Sequence, residues 1–312
     1  MIAPHTATRC CLRLAMVTSA ISAVEPLVAW HFFDRRGPLW SKLSRLQELT
    51  SLRAARPVHE LLARDRVFLG LCVAQLALSA AVFARPDSRL GWALFAVVTL
   101  VFVRLRVGLD ASDGMLRMLL AANALRLVAP NRLTTPFVLF VAAEACLSYF
   151  TSGFSKLGST LWIEGRSLAK TLSTITYGDP WVSRMLWRYP SLGRWASWST
   201  VAVEVLFPLA LVLPLALAIV LLMAAGLFHL CCARIMALGS FVWVFAATYP
   251  CVLAARRYVT SGQTRGPLLA GVLLFYALVV GGQLVATLGE HRRRERQKAI
   301  SASAAGANGS QL

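Results

Sequence analysis

Acidic side chains are scarce in this chain. Asp and Glu number 14 against 32 Lys and Arg, and charged residues make up only 15% of its 312 positions. Strict apolar–polar alternation is absent, which argues against a membrane β-barrel. No internal repeat stands out, and no pair of corresponding broken helices points to a transporter. The largest polar segments, Asp34–Arg66 and Lys156–Trp198, are too short and interrupted to build an independent soluble core. The seven cysteines show no standard zinc spacing, not even the vicinal Cys231-Cys232 after His229. They read as small apolar helix residues, and no metal site is expected. The formal charge of +18 comes without a basic patch interleaved with aromatics, so nucleic acid is not an expected partner.

What the chain has in quantity is apolar sequence, at 57% of its residues. A spanning helix needs about 20 mostly apolar residues. Candidate windows are Leu14–Phe33, Val67–Ala84, Leu90–Val103, Met115–Val128, Thr135–Phe150, the long tract Ser199–Leu253, and Leu268–Leu288. The expected fold is therefore all-α, a polytopic transmembrane helix bundle of about 8–9 membrane-embedded helices. The lipid bilayer is its first partner. Arg9 and Arg13 before Ser-Ala-Ile-Ser-Ala superficially resemble a secretory signal, but the apolar run continues to Phe33, too long for a signal core. It reads instead as a first span that carries Glu25.

Basic residues cluster between spans, in the Asp34–Arg66 loop and in Arg292–Lys298. Both prefer the cytoplasmic side, which places the C-terminus there. Residues 1–290 form the expected transmembrane domain. Residues 291–312 form a basic and then Ser/Ala/Gly-rich tail, expected to be disordered. Breaks are expected near Pro214 and Arg234, with Tyr249-Pro250 ending the piece that follows. The side that Lys156 faces depends on whether the stretch 236–250 spans or re-enters. The Trp162–Trp198 segment, with Trp181, Trp187, Trp195 and Arg184, Arg188, Arg194, has the character of an interfacial amphipathic belt.

With so little charge, the polar residues inside apolar helices are readable one by one. Lys156 emerges from the apolar run Thr135–Phe150. An ammonium there is costly unless it snorkels, is paired or serves a purpose, and a low dielectric favours its neutral, basic form. The alternative reading is an interfacial lysine that marks a helix end. Glu144, Glu204 and His229 are each isolated among apolar neighbours and must face the bundle interior, find a partner or stay neutral. Such a set would suffice for a buried acid–base site and would serve equally as glue between helices. Asp110 reads as a helix cap, and Asp113 sits at i, i+4 from Arg117, where the two could pair.

The segment Gly153-Phe-Ser-Lys-Leu-Gly-Ser-Thr-Leu-Trp-Ile-Glu-Gly-Arg-Ser-Leu168 resembles the signature of the horizontally transferred transmembrane domain (HTTM) family. The best-known member of that family is the vitamin K-dependent γ-carboxylase. Three further segments match in order: Asp113-Gly-Met-Leu-Arg-Met-Leu-Leu120, Val203-Glu-Val-Leu-Phe-Pro208, and Phe228-His-Leu through Met236-Ala-Leu-Gly-Ser-Phe241 to Tyr249-Pro250. The likeness covers roughly 110–255, with weaker agreement back to about residue 10.

The resemblance implies Lys156 as a base that deprotonates a quinol of the vitamin K type and His229 as a site histidine. It implies Asp113, Trp162, Glu164 and Glu204 as pocket or supporting residues. It also implies a bacterial plasma (inner) membrane as the location. The carboxylase has a large lumenal C-terminal region, whereas after Pro250 this chain has one expected span and a basic tail, so carboxylation of a propeptide-bearing substrate is not expected. Two readings follow. One is a membrane enzyme that uses Lys156 on a lipid-soluble quinol. The other is a non-catalytic partner or maturation protein for a secreted peptide.

Overall fold

The computed structural model describes residues 2–33, 61–62, 64–105, 110–260, 274, 278 and 280–293. Every regular element among them is helical. In chain order these are α1 (Pro4–Val28), α2 (Asp65–Ala84), α3 (Leu90–Leu105), α4 (Ala111–Arg126) and α5 (Pro130–Leu157). Short turns at Thr160–Ile163 and Ser167–Thr171 lead to α6 (Pro180–Arg188), α7 (Pro190–Leu206), a 3-10 turn at Phe207–Leu211, α8 (Leu215–Met236) and α9 (Gly239–Val259). Residues 281–293 are helical as well. Most of the basic 34–66 loop, the beginning of the 268–288 window and the tail from 294 lie outside the described residues.

Four of these helices, α1, α2, α5 and α8, are long and apolar enough to cross a membrane. The all-α architecture is as expected, and four such helices among the described residues do not confirm the expected count of 8–9. α3 is also apolar, with 16 described residues, about 24 Å at the helical rise. α4 carries Asp113, Arg117 and Arg126 within the same length. The expected breaks do appear. The 3-10 turn and Pro214 separate α7 from α8, and Ala237, with φ of 57°, turns the chain between α8 and α9. Tyr249-Pro250 was expected to end a helix, yet α9 runs through it to Val259. A proline removes one backbone donor but leaves the following turns intact, and apolar helices tolerate it.

The chain forms two compact units. The first comprises Met1–Ala145, His229–Arg234 and Leu238–Arg257. The second comprises Cys146–Phe228, Ile235–Ala237 and Tyr258–Leu312. In the first unit α1 lies along α2, and a small buried polar ladder joins them. Gln75 Nε2 donates to the Ser19 carbonyl at 2.9 Å, and Ser79 Oγ donates to Ser19 Oγ at 2.8 Å. Interhelical hydrogen bonds of this kind align helices whose other contacts are uniformly apolar.

The turn between α2 and α3 is tied down by charge. Arg126, at the end of α4, is almost fully buried, yet its guanidinium donates to Asp87 Oδ1 at 3.0 Å, to the Pro86 carbonyl at 3.3 Å and twice to Asn123 Oδ1. The other Asp87 oxygen accepts from Arg9 Nε on α1 at 2.9 Å. Three chain segments thus meet at one carboxylate. Partial burial pushes the Asp87 carboxyl up, but hydrogen bonds and charge from Arg9 and Arg126 outweigh it and hold the group below its ordinary value. Its contribution to stability is therefore complete above the ordinary carboxylate range and is lost as pH falls through the lowered value.

Replacing Arg126 with Met leaves Asn123 and Asp87 short of partners. The expected cost is roughly 1–3 kcal/mol, read as a lower thermal midpoint in detergent. Wild type should lose stability on acidification through the range below about pH 4, where carboxylates titrate. An Asp87→Asn variant, measured alongside it, should lack that component.

Candidate functional site

The second half of α5 places Tyr149, Ser152, Gly153 and Lys156 at helical spacing, so that these residues share one face. That face meets α7 in the second unit. Gly153 sets how closely the two helices approach. A β-carbon there would lie 2.8 Å from Glu204 Cβ, from Val205 Cγ2 and from the Val205 backbone nitrogen, well inside van der Waals contact. Tyr149 stacks on Phe207, just after α7, with centroids 3.9 Å apart and planes 15° apart. Leu157, Val201 and Val205 form a buried cluster, against which Phe150, Trp162, Trp198, Val280 and Leu284 pack.

Within this apolar frame lies a compact polar group. Lys156 Nζ donates to Glu204 Oε2 at 2.7 Å and to Oε1 at 2.9 Å. It also donates to Ser152 Oγ at 2.7 Å, and Ser152 Oγ donates in turn to Glu204 Oε1 at 3.1 Å. The Trp162 ring centroid is 5.2 Å from the ammonium, within reach of a cation–π attraction. The side chains of Lys156 and Glu204 are only 18% and 7% exposed, so the pair is largely desolvated. Breaking such a pair from one side is costly because the remaining charge is left alone.

The six site residues that the resemblance implies are placed as follows. Lys156, Glu204 and Trp162 come together in the second unit. Glu164 pairs elsewhere in that unit, with Oε2 at 2.8 Å from Arg166 Nη1 and Oε1 at 3.2 Å from His291 Nδ1. His229 belongs to the first unit, buried and stacked on Phe245 at 4.5 Å with Phe241 at 6.0 Å. Asp113, also in the first unit, completes a capping box at the start of α4. Its Oδ2 accepts from the Asp110 backbone N–H, and Asp110 Oδ1 accepts from the backbone N–H groups of Ser112 and Asp113. Arg117 places its guanidinium 3.3 Å from the Phe102 ring centroid.

Ser152 was missed in the sequence. Its signal was present, because Ser152 and Lys156 stand at i, i+4, but a serine near a helix end has many uses and only a partner on α7 shows this one. Among the described residues no three His, Cys, Asp or Glu side chains gather as a metal ligand set. Compared with known proteins, the chain matches no family model, no curated protein and no solved structure.

The energetics of the pair are directly testable. Lys156→Met strands the Glu204 carboxylate and should cost about 3–5 kcal/mol. The double variant Lys156→Met/Glu204→Leu should recover most of that loss. A denaturation series in mild detergent checks both, and equal destabilisation by the single and double variants would show that the pair contributes nothing beyond packing.

Proposed function

We propose that this chain is a multi-pass membrane protein in which Ser152, Lys156 and Glu204 form a proton-handling site for a lipid-soluble hydroxylated substrate, with a quinol the best candidate. The observation that carries this reading is the doubly bonded Lys156–Glu204 pair inside an apolar cluster. An ion pair in low dielectric can collapse internally. The ammonium passes a proton to the carboxylate, two opposite charges vanish, and a neutral amine faces a neutral acid.

The amine then takes the proton of a quinol hydroxyl. The O–H bond breaks, an N–H bond forms, and the resulting quinolate lies beside a cation that stabilises it. Ser152 is within hydrogen-bond distance of both partners and can follow the proton. The Trp162 face stabilises the cationic form of the lysine. Dioxygen takes two electrons from the quinolate and leaves as hydrogen peroxide with the remaining hydroxyl proton and one proton from the site, so that a quinone is formed and the Lys156–Glu204 ion pair is restored. The HTTM resemblance also implies Glu164 as a supporting group in the same unit as Lys156, and it names His229 and Asp113, which belong to the first unit. The same resemblance and the basic cluster from Arg292 are the grounds for a bacterial inner membrane with a cytoplasmic C-terminus.

A second reading has an observation of its own. The tight α5–α7 approach at Gly153 is what a purely structural ion pair would need, and a non-catalytic partner or maturation protein for a secreted peptide would need nothing more. Lys156→Arg separates the two. Arginine keeps the charge and the pairing with Glu204 but does not lose its proton in proteins. Purified wild type and Lys156→Arg are compared for aerobic oxidation of a naphthohydroquinone, with thermal unfolding as the control for folding. A loss of about 100-fold or more in Lys156→Arg with unchanged folding supports the base. No wild-type turnover, or equal turnover in both proteins, rejects it in favour of the structural pair.

A further inference from the structure

A different part of the second unit is built for an anion. A cavity of roughly 400 Å³ opens between the turn at Glu164–Arg166, the end of α6 and the start of α7, and is lined by Arg166, Trp187, Arg194 and His291 among others. Its shape depends on one glycine. Gly165 has a φ of 77°, and a β-carbon there would overlap the Arg194 backbone, so the turn seats directly on the first turn of α7. A β-carbon on Gly193 would in turn lie 2.7 Å from the Gly165 carbonyl oxygen. This seating brings Arg166 and Arg194, on separate segments, to the rim of one cavity.

The charges that face the cavity do not cancel. Glu164 uses one carboxylate oxygen on Arg166 and the other on His291, which fixes the orientation of both. Among the described residues Arg194 has no carboxylate partner. Arg166 spends one nitrogen on Glu164, is half exposed, and keeps other N–H groups for a ligand. Two guanidiniums against one carboxylate leave an excess positive charge, in donor forks that match phosphate geometry.

The surroundings indicate what carries the phosphate. Trp187, at the cavity wall, Trp181 at the start of α6 and Trp195 on α7 are all exposed, and Arg184 and Arg188 lie on α6. α6 buries Leu186 against Ala169 and Leu172, and Leu186 and Ala169 also line the cavity. Exposed tryptophans beside arginines mark the level of lipid headgroups, where indole rings and guanidiniums both find partners. Basic cavities at this level hold anionic headgroups.

We infer that the cavity bounded by Arg166, Trp187, Arg194 and His291 binds the phosphate of an anionic phospholipid headgroup. Arg194 and Arg166 hold the phosphate oxygens and Trp187 lies along the glycerol backbone. Glu164 acts as a positioning residue that also competes with the ligand for Arg166.

Native mass spectrometry of the purified full chain in detergent, titrated with phosphatidylglycerol, provides the test. Wild type should retain one lipid, and phosphatidylcholine should bind more weakly. Arg194→Gln, which breaks no ion pair, should weaken retention by about tenfold, as should Arg166→Gln. Glu164→Gln should strengthen it severalfold, an effect that a merely structural carboxylate would not produce. Thermal unfolding of each variant reports folding. Displacement of the lipid by an equal concentration of inorganic phosphate would sustain a phosphate site but overturn the lipid as its source. Retention that is equal in wild type and Arg194→Gln, or equal for the two lipids, would overturn the inference altogether.

Discussion

A charge that leaves water must take its counter-charge with it, and that requirement organises the second unit. Lys156 and Glu204 belong to different helices and neither is tolerable alone in apolar surroundings. They can meet only where α5 and α7 nearly touch, and Gly153 is what lets the backbones come so close. The Tyr149–Phe207 stack and the Leu157–Val201–Val205 cluster then hold the crossing in place. Small residue, close approach and buried pair are thus one constraint seen at three levels.

The first unit solves the same problem differently. There the buried cation is Arg126, and its carboxylate, Asp87, remains partly exposed at the end of a helical hairpin. Because a second arginine, Arg9, shares that carboxylate, the charge acts as a knot between chain segments. No proton needs to move in such an arrangement, since guanidiniums stay charged. The Lys156–Glu204 pair differs in that respect. Lysine and glutamate side chains, unlike a guanidinium, both have neutral forms, and the proposed function rests on that difference. This chemical difference, rather than burial alone, is why the functional reading centres on the lysine.

Much of the molecule was legible in order. Among the described residues the long apolar runs became helices, the acid at Asp110 became a cap, and the breaks near Pro214 and Arg234 fell where proline and a change of composition place them. Helix length was harder to read. α9 passes through Pro250 because one missing donor does not stop a helix. Candidate site residues were legible by type. An isolated Lys, Glu or His in apolar sequence must have a reason, and each was identified on that ground.

Local chemistry written along the chain was enough to determine the helical class, the apolar helices suited to a bilayer, and the short set of polar residues that need partners. Which partner each one takes was decided only by the fold. Lys156 could have paired with Glu144 or Glu204 by composition, and Glu164 could have joined them. Instead, the Gly153 crossing selects Glu204 and draws in Ser152, while the Gly165 turn sends Glu164 to Arg166 and His291. Pairing across dozens of residues depends on how closely two backbones can approach, and that distance is a property of packed helices, set in each case here by a missing β-carbon.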